Sequence, residues 1–371
     1  MFAHGEEVLE NCFFIGDVGY HEEYLCFSIV VRMNMRYGRE LPGYPFNMRA
    51  LCTRGIIVLQ RKLYARWLRR FSMHAPMDYN FVGARANDAI RDLLLSDAPC
   101  MIARFGSGEL ETTLRYLDIS LPGSVFVKSV RLLLGQSGPF WWDNSIRAGI
   151  TWLAGLFPPT NETMDRFGER ILQDSKEIDL LAGWLAGEKR LNLRCFPHAK
   201  CIPLVDLEPF LFLNPWTHIL AKKKVLLVHP FETTIRHQYA KREHLFKDSC
   251  FLPSFTLKTY KTVQSLAGNH TRFSTWFEAL EFMCSEISGI DFDIAIIGAG
   301  AYGMSIAAHI KRMGKKAIHM GGSTQLLFGI KGGRWDKIPA YSQNLYNEYW
   351  IRPLSEDCPS QFKTVEAGCY W

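Results

Sequence analysis

Hydrophobic and polar positions near the C-terminus predict a strand, a glycine turn, a helix and a second strand. Residues 293–304 read Asp-Ile-Ala-Ile-Ile-Gly-Ala-Gly-Ala-Tyr-Gly-Met, and their short apolar run suits a buried parallel strand. Ile306, Ile310 and Met313 then recur at helical spacing until Gly314 ends the pattern. Residues 315–320 predict the next strand. This order is typical of an α/β domain with a phosphate-binding turn.

The same alternation extends back to about residue 78. Helices are predicted at 86–94 and 108–117 around a strand at 100–105, and a strand at 224–228 precedes a helix at 233–246. Seven apolar residues trace the core face of a further helix: Phe273, Trp276, Phe277, Leu280, Met283, Cys284 and Ile287. We therefore predict an α/β, Rossmann-like, mostly parallel sheet with flanking helices.

Three segments depart from this alternation and suggest the domain organisation. Residues 1–75 form a predicted appendage, 76–352 the Rossmann-like domain, and 353–371 a tail. Within the domain, residues 120–215 are rich in Trp, Pro and Leu, with helical stretches around 164–185, and are expected to be an insertion that caps the sheet or frames an acceptor site.

The appendage contains a basic, amphipathic helical pattern at residues 56–71. Its apolar side chains are Leu59, Leu63, Trp67 and Phe71, beside Arg61, Lys62, Arg66, Arg69 and Arg70. Such a helix either lies on an anionic membrane leaflet or packs its apolar face on the main domain. The pattern is compatible with both.

Composition limits the classes of function. The formal charge is +6 with a pI near 8.7, weaker than the clustered basic charge of a nucleic-acid-binding domain, so no nucleic-acid partner is expected. No window approaches the roughly 18 uninterrupted apolar residues of a membrane span. The ten cysteines are scattered and no signal peptide is recognised, which predicts a protein with reduced thiols that is cytoplasmic or peripheral to a membrane.

The glycine turn suggests an anion site, because glycines let backbone N–H groups approach a phosphate at a helix N-terminus. Gly298, Gly300 and Gly303 supply a literal dinucleotide fingerprint. That fingerprint also needs an acid about 20 positions later, where residues 318–320 read Ile-His-Met. A mononucleotide or nucleotide-sugar site, a dinucleotide site and a purely structural turn remain open.

A second motif, Ala-Arg-Phe-Gly-Ser-Gly-Glu-Leu-Glu at 103–111, lies where a strand is predicted to end and a helix to begin. Ligand sites of parallel sheets lie at such carboxyl ends. Arg104 is expected to clamp a diphosphate, and Glu109 to bind a divalent metal or a sugar hydroxyl. The alternative is structural, with Ser107 as the helix N-cap and Glu109 interacting with the helix dipole.

These two motifs, with the later Lys-Ala-Ile-His-Met-Gly-Gly, resemble the GT-D-type glycosyltransferases and related uncharacterised proteins of bacterial polysaccharide clusters. The resemblance covers roughly residues 78–350. It implies a nucleoside-diphosphate sugar donor and a divalent metal, Mn²⁺ or Mg²⁺, bound by an Asp-x-Glu motif. Glu109 matches the Glu of that motif, whereas Ser107 stands at the Asp, and a neutral hydroxyl is a weaker metal ligand than a carboxylate.

The remaining candidates follow from position. Either His229, at the end of a predicted strand, or Glu232 is expected to deprotonate the acceptor. A later glycine-rich loop is expected to contact the donor through Gly321, Gly322, Gln325, Arg334 and Trp335. The expected function is transfer of a sugar to a glycan, lipid-linked or protein-linked acceptor in polysaccharide biosynthesis. An NAD-dependent oxidoreductase and a non-catalytic nucleotide-sugar-binding protein are the alternatives.

Overall fold

The protein, seen in a computed structural model, is built on a seven-stranded, all-parallel β-sheet. The structure describes residues 77–248, 251–269, 271–359 and 368–371. The strands are β1 (Cys100–Ala103), β2 (Leu180–Gly183), β3 (Lys200–Pro203), β4 (Lys224–Val228), β5 (Thr256–Tyr260), β6 (Ile294–Ile297) and β7 (Lys316–His319). Their order across the sheet is β3-β2-β1-β7-β6-β4-β5.

Helices cover both faces of the sheet. In chain order they are α1 (Ala84–Leu95), α2 (Ser107–Ile119), α3 (Val125–Leu133), α4 (Asn144–Ala154), α5 (Asn161–Ser175), α6 (Glu188–Cys195), α7 (Glu232–Tyr239), α8 (Arg242–Leu245), α9 (Trp276–Ser288), α10 (Gly303–Arg312) and α11 (Pro339–Ser342). Short 3₁₀ turns link several of them, including Gly300–Tyr302 and Gly321–Phe328.

Alternate residues of each strand enter two separate hydrophobic layers. Met101 and Ala103 of β1 face the layer that contains α2, α5, α9 and α10, whereas Cys100 and Ile102 face the layer with α1 and α7. Strands buried on both faces need near-continuous apolar runs, and β1, β2 and β6 are fully buried along their length.

The sequence predictions for the alternating core are confirmed. Strands at β1, β4, β6 and β7 and helices at α1, α2, α9 and α10 lie where the pattern indicates, within a few residues. The helix predicted at 233–246 is divided into α7 and α8. The appendage, with its helical pattern at 56–71, and most of the tail lie outside the described residues.

The prediction of a helical insertion at 120–215 was wrong in one respect. This segment contributes β2 and β3 to the main sheet, paired in parallel with β1 and with each other. The helix expected to reach residue 185 ends at Ser175, and the chain then enters β2. Segment 120–215 is therefore part of the sheet domain.

The connections change face near the centre of the sheet. The chain leaves β1 and β6 toward α2 and α10 on one face, but leaves β7 and β4 toward Gly321–Phe328 and α7 on the other. Such divergence opens a crevice at the carboxyl ends of the strands, the usual ligand position in parallel sheets. Among the described helices, none is long and apolar enough to cross a membrane.

Candidate functional site

The crevice gathers side chains from the ends of β1, β7, β6 and β4. Arg104 follows β1, His319 ends β7, and Gly298 follows β6. Because β7 pairs with both β1 and β6, residues about 200 positions apart in sequence become neighbours. The structure thus brings the two predicted motifs together.

Arg104 lacks a hydrogen bond or ion pair to any described residue. Its Nε is buried without a partner, and its guanidinium lies over the Trp184 ring, 5.2 Å from the centroid. Burial lowers the pKa of Arg104, while the charges of Glu109, Tyr370 and Glu188 act in the opposite direction and Arg334 adds repulsion. A partly buried cation with unused donors is suited to binding an anion.

Glu109 folds back over the turn that begins α2. A Cβ atom at Gly106 would lie 1.9 Å from Glu109 Oε2, so any larger residue there would displace this carboxylate. Burial raises the pKa of Glu109, against the effects of its own backbone N–H and of Arg104. The N-cap of α2 is Gly106, and Ser107 is the exposed first residue of the helix rather than its cap.

The surrounding residues do not form a metal site of the implied kind. Among the described residues there is no group of three His, Cys, Asp or Glu side chains that could hold an ion. Glu111 is two residues beyond Glu109 and so lies on another face of α2, where burial raises its pKa despite the opposing charge of Arg115. Glu109 is left as one carboxylate beside a hydroxyl, a donor set that does not fit a protein-held Mg²⁺ or Mn²⁺.

A small recess separates the starts of α2 and α10. It has about 180 Å³ of empty space and is lined by Arg104, Phe105, Gly106, Glu109, Gly300, Ala301, Met304 and His319. Gly300 has a φ of 52°, and the space where its side chain would lie is nearly open. The recess therefore combines a cation, a carboxylate and the first turn of a helix.

Two glycines of the fingerprint make room for histidine rings. A Cβ at Gly303 would lie 2.1 Å from His319 Cε1, and one at Gly298 would lie 2.5 Å from His229 Cδ2. His319 Nδ1 is 3.3 Å from the carbonyl oxygen of Ile297, an arrangement in which Nδ1 donates. Burial, with the Arg104 charge, lowers the pKa of His319 to about 3, so its ring is neutral.

His229 is buried and its ring is held by the backbone. Nδ1 accepts a hydrogen bond of 3.0 Å from the N–H of Phe231, which leaves the proton of the neutral ring on Nε2. Burial lowers the pKa of His229 to about 3, although the Asp357 charge raises it. This geometry favours His229 as a hydrogen-bond donor over the predicted role of general base.

Glu188 belongs to this region but was missed in the sequence. It begins α6 just after β2, and its Oε2 accepts from the N–H groups of Trp184 at 2.7 Å and Leu185 at 3.0 Å. Its Oε1 is buried without a partner, and burial raises its pKa to about 7. Had β2 been recognised in the sequence, Glu188 would have stood out as a carboxylate close to the end of a strand.

The loop after β7 divides into two environments. Gly321 lies beside Arg104, whose Nη1 would be 2.9 Å from a Cβ at that position. Gln325 is interior, and its Nε2 donates to the carbonyl oxygens of Ile330, Lys331 and Tyr370.

Trp335 is also buried, in the hydrophobic layer that contains α1 and α7. A Cβ at Gly322 would meet the Tyr370 ring at 2.4 Å, and the Arg334 guanidinium lies over that ring, 4.8 Å from its centroid. Gln325 and Trp335 thus support the loop rather than line the recess.

Glu232 does not line the recess either. Its Oε1 accepts from Arg236 at 2.9 Å and from Thr259 Oγ1 at 2.5 Å, at the start of α7. A wider depression, with about 640 Å³ of empty space, lies at the opposite edge of the sheet beside Lys223 and Lys316. The ammonium of Lys316 donates hydrogen bonds to the carbonyl oxygens of Leu94 and Ser96, so it is less available to bind an anion at that edge.

Comparison of the chain with protein-family models, curated proteins and solved structures gave no significant match.

Proposed function

We propose that the protein is a glycosyltransferase that uses a nucleoside-diphosphate sugar bound at the carboxyl edge of its sheet. The observation that carries this proposal is Arg104, a partly buried guanidinium without an anionic hydrogen-bond partner in the described structure. It lies beside the first turns of α2 and α10, whose backbone dipoles favour negative charge. A diphosphate supplies the charge that this position lacks.

The donor diphosphate would bind to Arg104 and to the backbone around Gly300. The recess has about 180 Å³ of empty space with open solvent included, and a water-sized sphere does not fit inside it. A phosphate would therefore bind at its mouth, or inside it after Arg104 or Glu109 has moved. The nucleoside would extend along the sheet edge toward Gly298 and His229.

In the proposed reaction, the bond between the anomeric carbon and the diphosphate oxygen breaks, and an acceptor hydroxyl oxygen bonds to that carbon. Arg104 stabilises the negative charge on the departing diphosphate. Glu109 lines the same recess and takes the acceptor proton, since burial raises its pKa toward the range of an effective general base. His229 donates a hydrogen bond through Nε2. No step is assigned to a metal.

Substituting Glu109→Gln tests the catalytic role. Gln has the same shape but cannot accept the proton, so release of nucleoside diphosphate in the presence of acceptor should fall by about 100-fold or more. Glu111→Gln is the matched control, because Glu111 is exposed on another face of α2. The assay would screen uridine- and guanosine-diphosphate sugars against glycan and lipid-linked acceptors.

Two results would contradict the proposal in different ways. Equal rates in the wild type and the Glu109→Gln variant would remove Glu109 from the mechanism. Donor binding without turnover against any acceptor would favour a non-catalytic nucleotide-sugar-binding protein, the alternative that Ser107 at the position of the motif's Asp suggests.

A further inference from the structure

Helix α3 presents an apolar face to solvent. Ser124 caps the helix by accepting from the N–H of Val127, and the buried Leu132 holds its inner face. Phe126, Val130 and Leu134 follow one another at four-residue spacing on the opposite side, with Val125 and Val127 beside them. Phe126 is 76% exposed and Val125 is 71% exposed.

This arrangement reverses the usual one, in which a surface helix buries its apolar stripe and exposes polar residues. Contiguous exposed apolar side chains of this kind mark a contact with a protein or a membrane. We refer to Val125, Phe126, Val127, Val130 and Leu134 as the α3 face. Burying the α3 face would be favourable, and this requires a partner surface outside the described residues.

Basic charge accompanies the α3 face. Arg131, at the edge of the face, donates to the carbonyl oxygen of Pro122. Lys128 is on the inner side of the helix with Leu132 and donates to the carbonyl oxygen of Ile119. Residues 121–142 contain no Asp or Glu.

The acids that border this segment are neutralised by arginines. Asp118 pairs with Arg190, and Asp143 pairs with Arg115 at 2.8 Å. The segment around the α3 face therefore carries a net positive charge as well as apolar side chains.

We propose that the α3 face docks on an anionic lipid surface. Apolar side chains enter the boundary between head groups and acyl chains, while Arg131, at the edge of the α3 face, meets lipid phosphates. A second copy of the chain fits less well, because a two-fold contact through α3 would bring like charges together. A nine-residue helix also offers far less than the roughly 800 Å² per partner of a stable dimer.

The proposal does not depend on the function of the crevice. α2 begins at the recess and runs 13 residues, about 20 Å, before the chain turns into α3. Substitutions on the α3 face should therefore leave ligand binding in the recess unchanged. The basic pattern at 56–71, outside the described residues, would address the same kind of surface.

The test is co-sedimentation of the full chain with phosphatidylcholine vesicles, with and without roughly one third phosphatidylglycerol. The double variant Phe126→Ser, Val130→Ser should bind the anionic vesicles about tenfold more weakly, since it removes apolar side chains that would enter the lipid. Leu213→Ser is the matched control, because Leu213 is 99% exposed and lies outside the α3 face. It should bind like the wild type.

A second variant tests the charge. Arg131→Gln should reduce binding to anionic vesicles and leave binding to neutral ones unchanged. Thermal unfolding of every variant would verify that the fold is retained.

Three results would overturn the proposal. The first is failure of the wild type to sediment with anionic vesicles. The second is sedimentation of all α3 variants as well as the wild type, as expected if residues 56–71 carried lipid binding alone. The third is a dimer, seen by sedimentation equilibrium without lipid, that Phe126→Ser dissociates, which would assign the face to a second copy.

Discussion

At the scale of single residues, Glu188 combines burial with an unsatisfied oxygen. Two backbone N–H groups bond to its Oε2, yet Oε1 is buried without a partner. Burial raises its pKa from an ordinary 4.5 to about 7. The folded protein therefore retains a proton that the unfolded chain releases above about pH 4.5, and stability falls as the pH rises from there through about 7.

Substituting Glu188→Gln should remove this pH dependence. Gln keeps an oxygen for the N–H groups of Trp184 and Leu185 and carries no charge. The free energy of unfolding of the variant should therefore rise relative to that of the wild type between about pH 5 and pH 8, by up to ~3 kcal/mol. Urea unfolding at each pH measures the difference. Glu243→Gln, at an exposed acid, is the control. Parallel pH profiles for the wild type and the Glu188→Gln variant would contradict the account.

At the scale of elements, two glycines of the turn before α10 leave space for two histidine rings. Gly303 begins α10 against His319, and a side chain there would meet the ring at 2.1 Å. The fingerprint that resembles a phosphate loop therefore also has a packing role. Both roles require glycine, which explains why the motif alone did not distinguish a ligand site from a structural turn.

Substituting Gly303→Ala should destabilise the protein despite the higher helix propensity of alanine. Displacing the His319 ring costs about 1–3 kcal/mol, as overpacking in a core generally does. The control is Gly149→Ala in α4, where nothing lies within 4 Å of the added Cβ and stability should rise by about 0.5–1 kcal/mol. Chemical denaturation compares the two. Equal increases in the stability of both variants would show that the His319 ring moves aside without an energetic cost, which would contradict the prediction.

The elements that the sequence predicted well are those with long periodic patterns. α9 and α10 carry clear apolar stripes, and β6 is a four-residue apolar run next to glycine. β2 was missed because only four residues separate it from α5, so that its short apolar run reads as a continuation of the helix, and β3 was missed because it ends in a proline. Because β2 was not predicted, Glu188, which follows it closely, was not selected as a candidate.

At the scale of the whole molecule, the site exists because the last strand of the sheet inserts beside the first. β7 lies between β1 and β6, so Arg104 meets His319 and Gly300 only in the folded sheet. Local sequence selected Arg104, Glu109 and the glycines as candidates by the rule that ligand sites lie at strand ends, and the fold brings these candidates together. The sequence did not identify His319 as their neighbour, or Gln325 and Trp335 as interior, because those assignments depend on strand order and on how the loop after β7 packs.

The central claim is that Arg104 binds the diphosphate of a nucleotide donor, and ligand-dependent thermal unfolding tests it most directly. Uridine diphosphate, guanosine diphosphate, their sugars and NADH would each be added to the wild type and to the Arg104→Gln variant, with and without Mn²⁺. A ligand at about 100 times its dissociation constant adds roughly 2.7 kcal/mol to stability. We predict that one nucleoside diphosphate or its sugar stabilises the wild type without Mn²⁺, and that Arg104→Gln abolishes this effect. Stabilisation by NADH alone, or equal stabilisation of both proteins, would contradict the account.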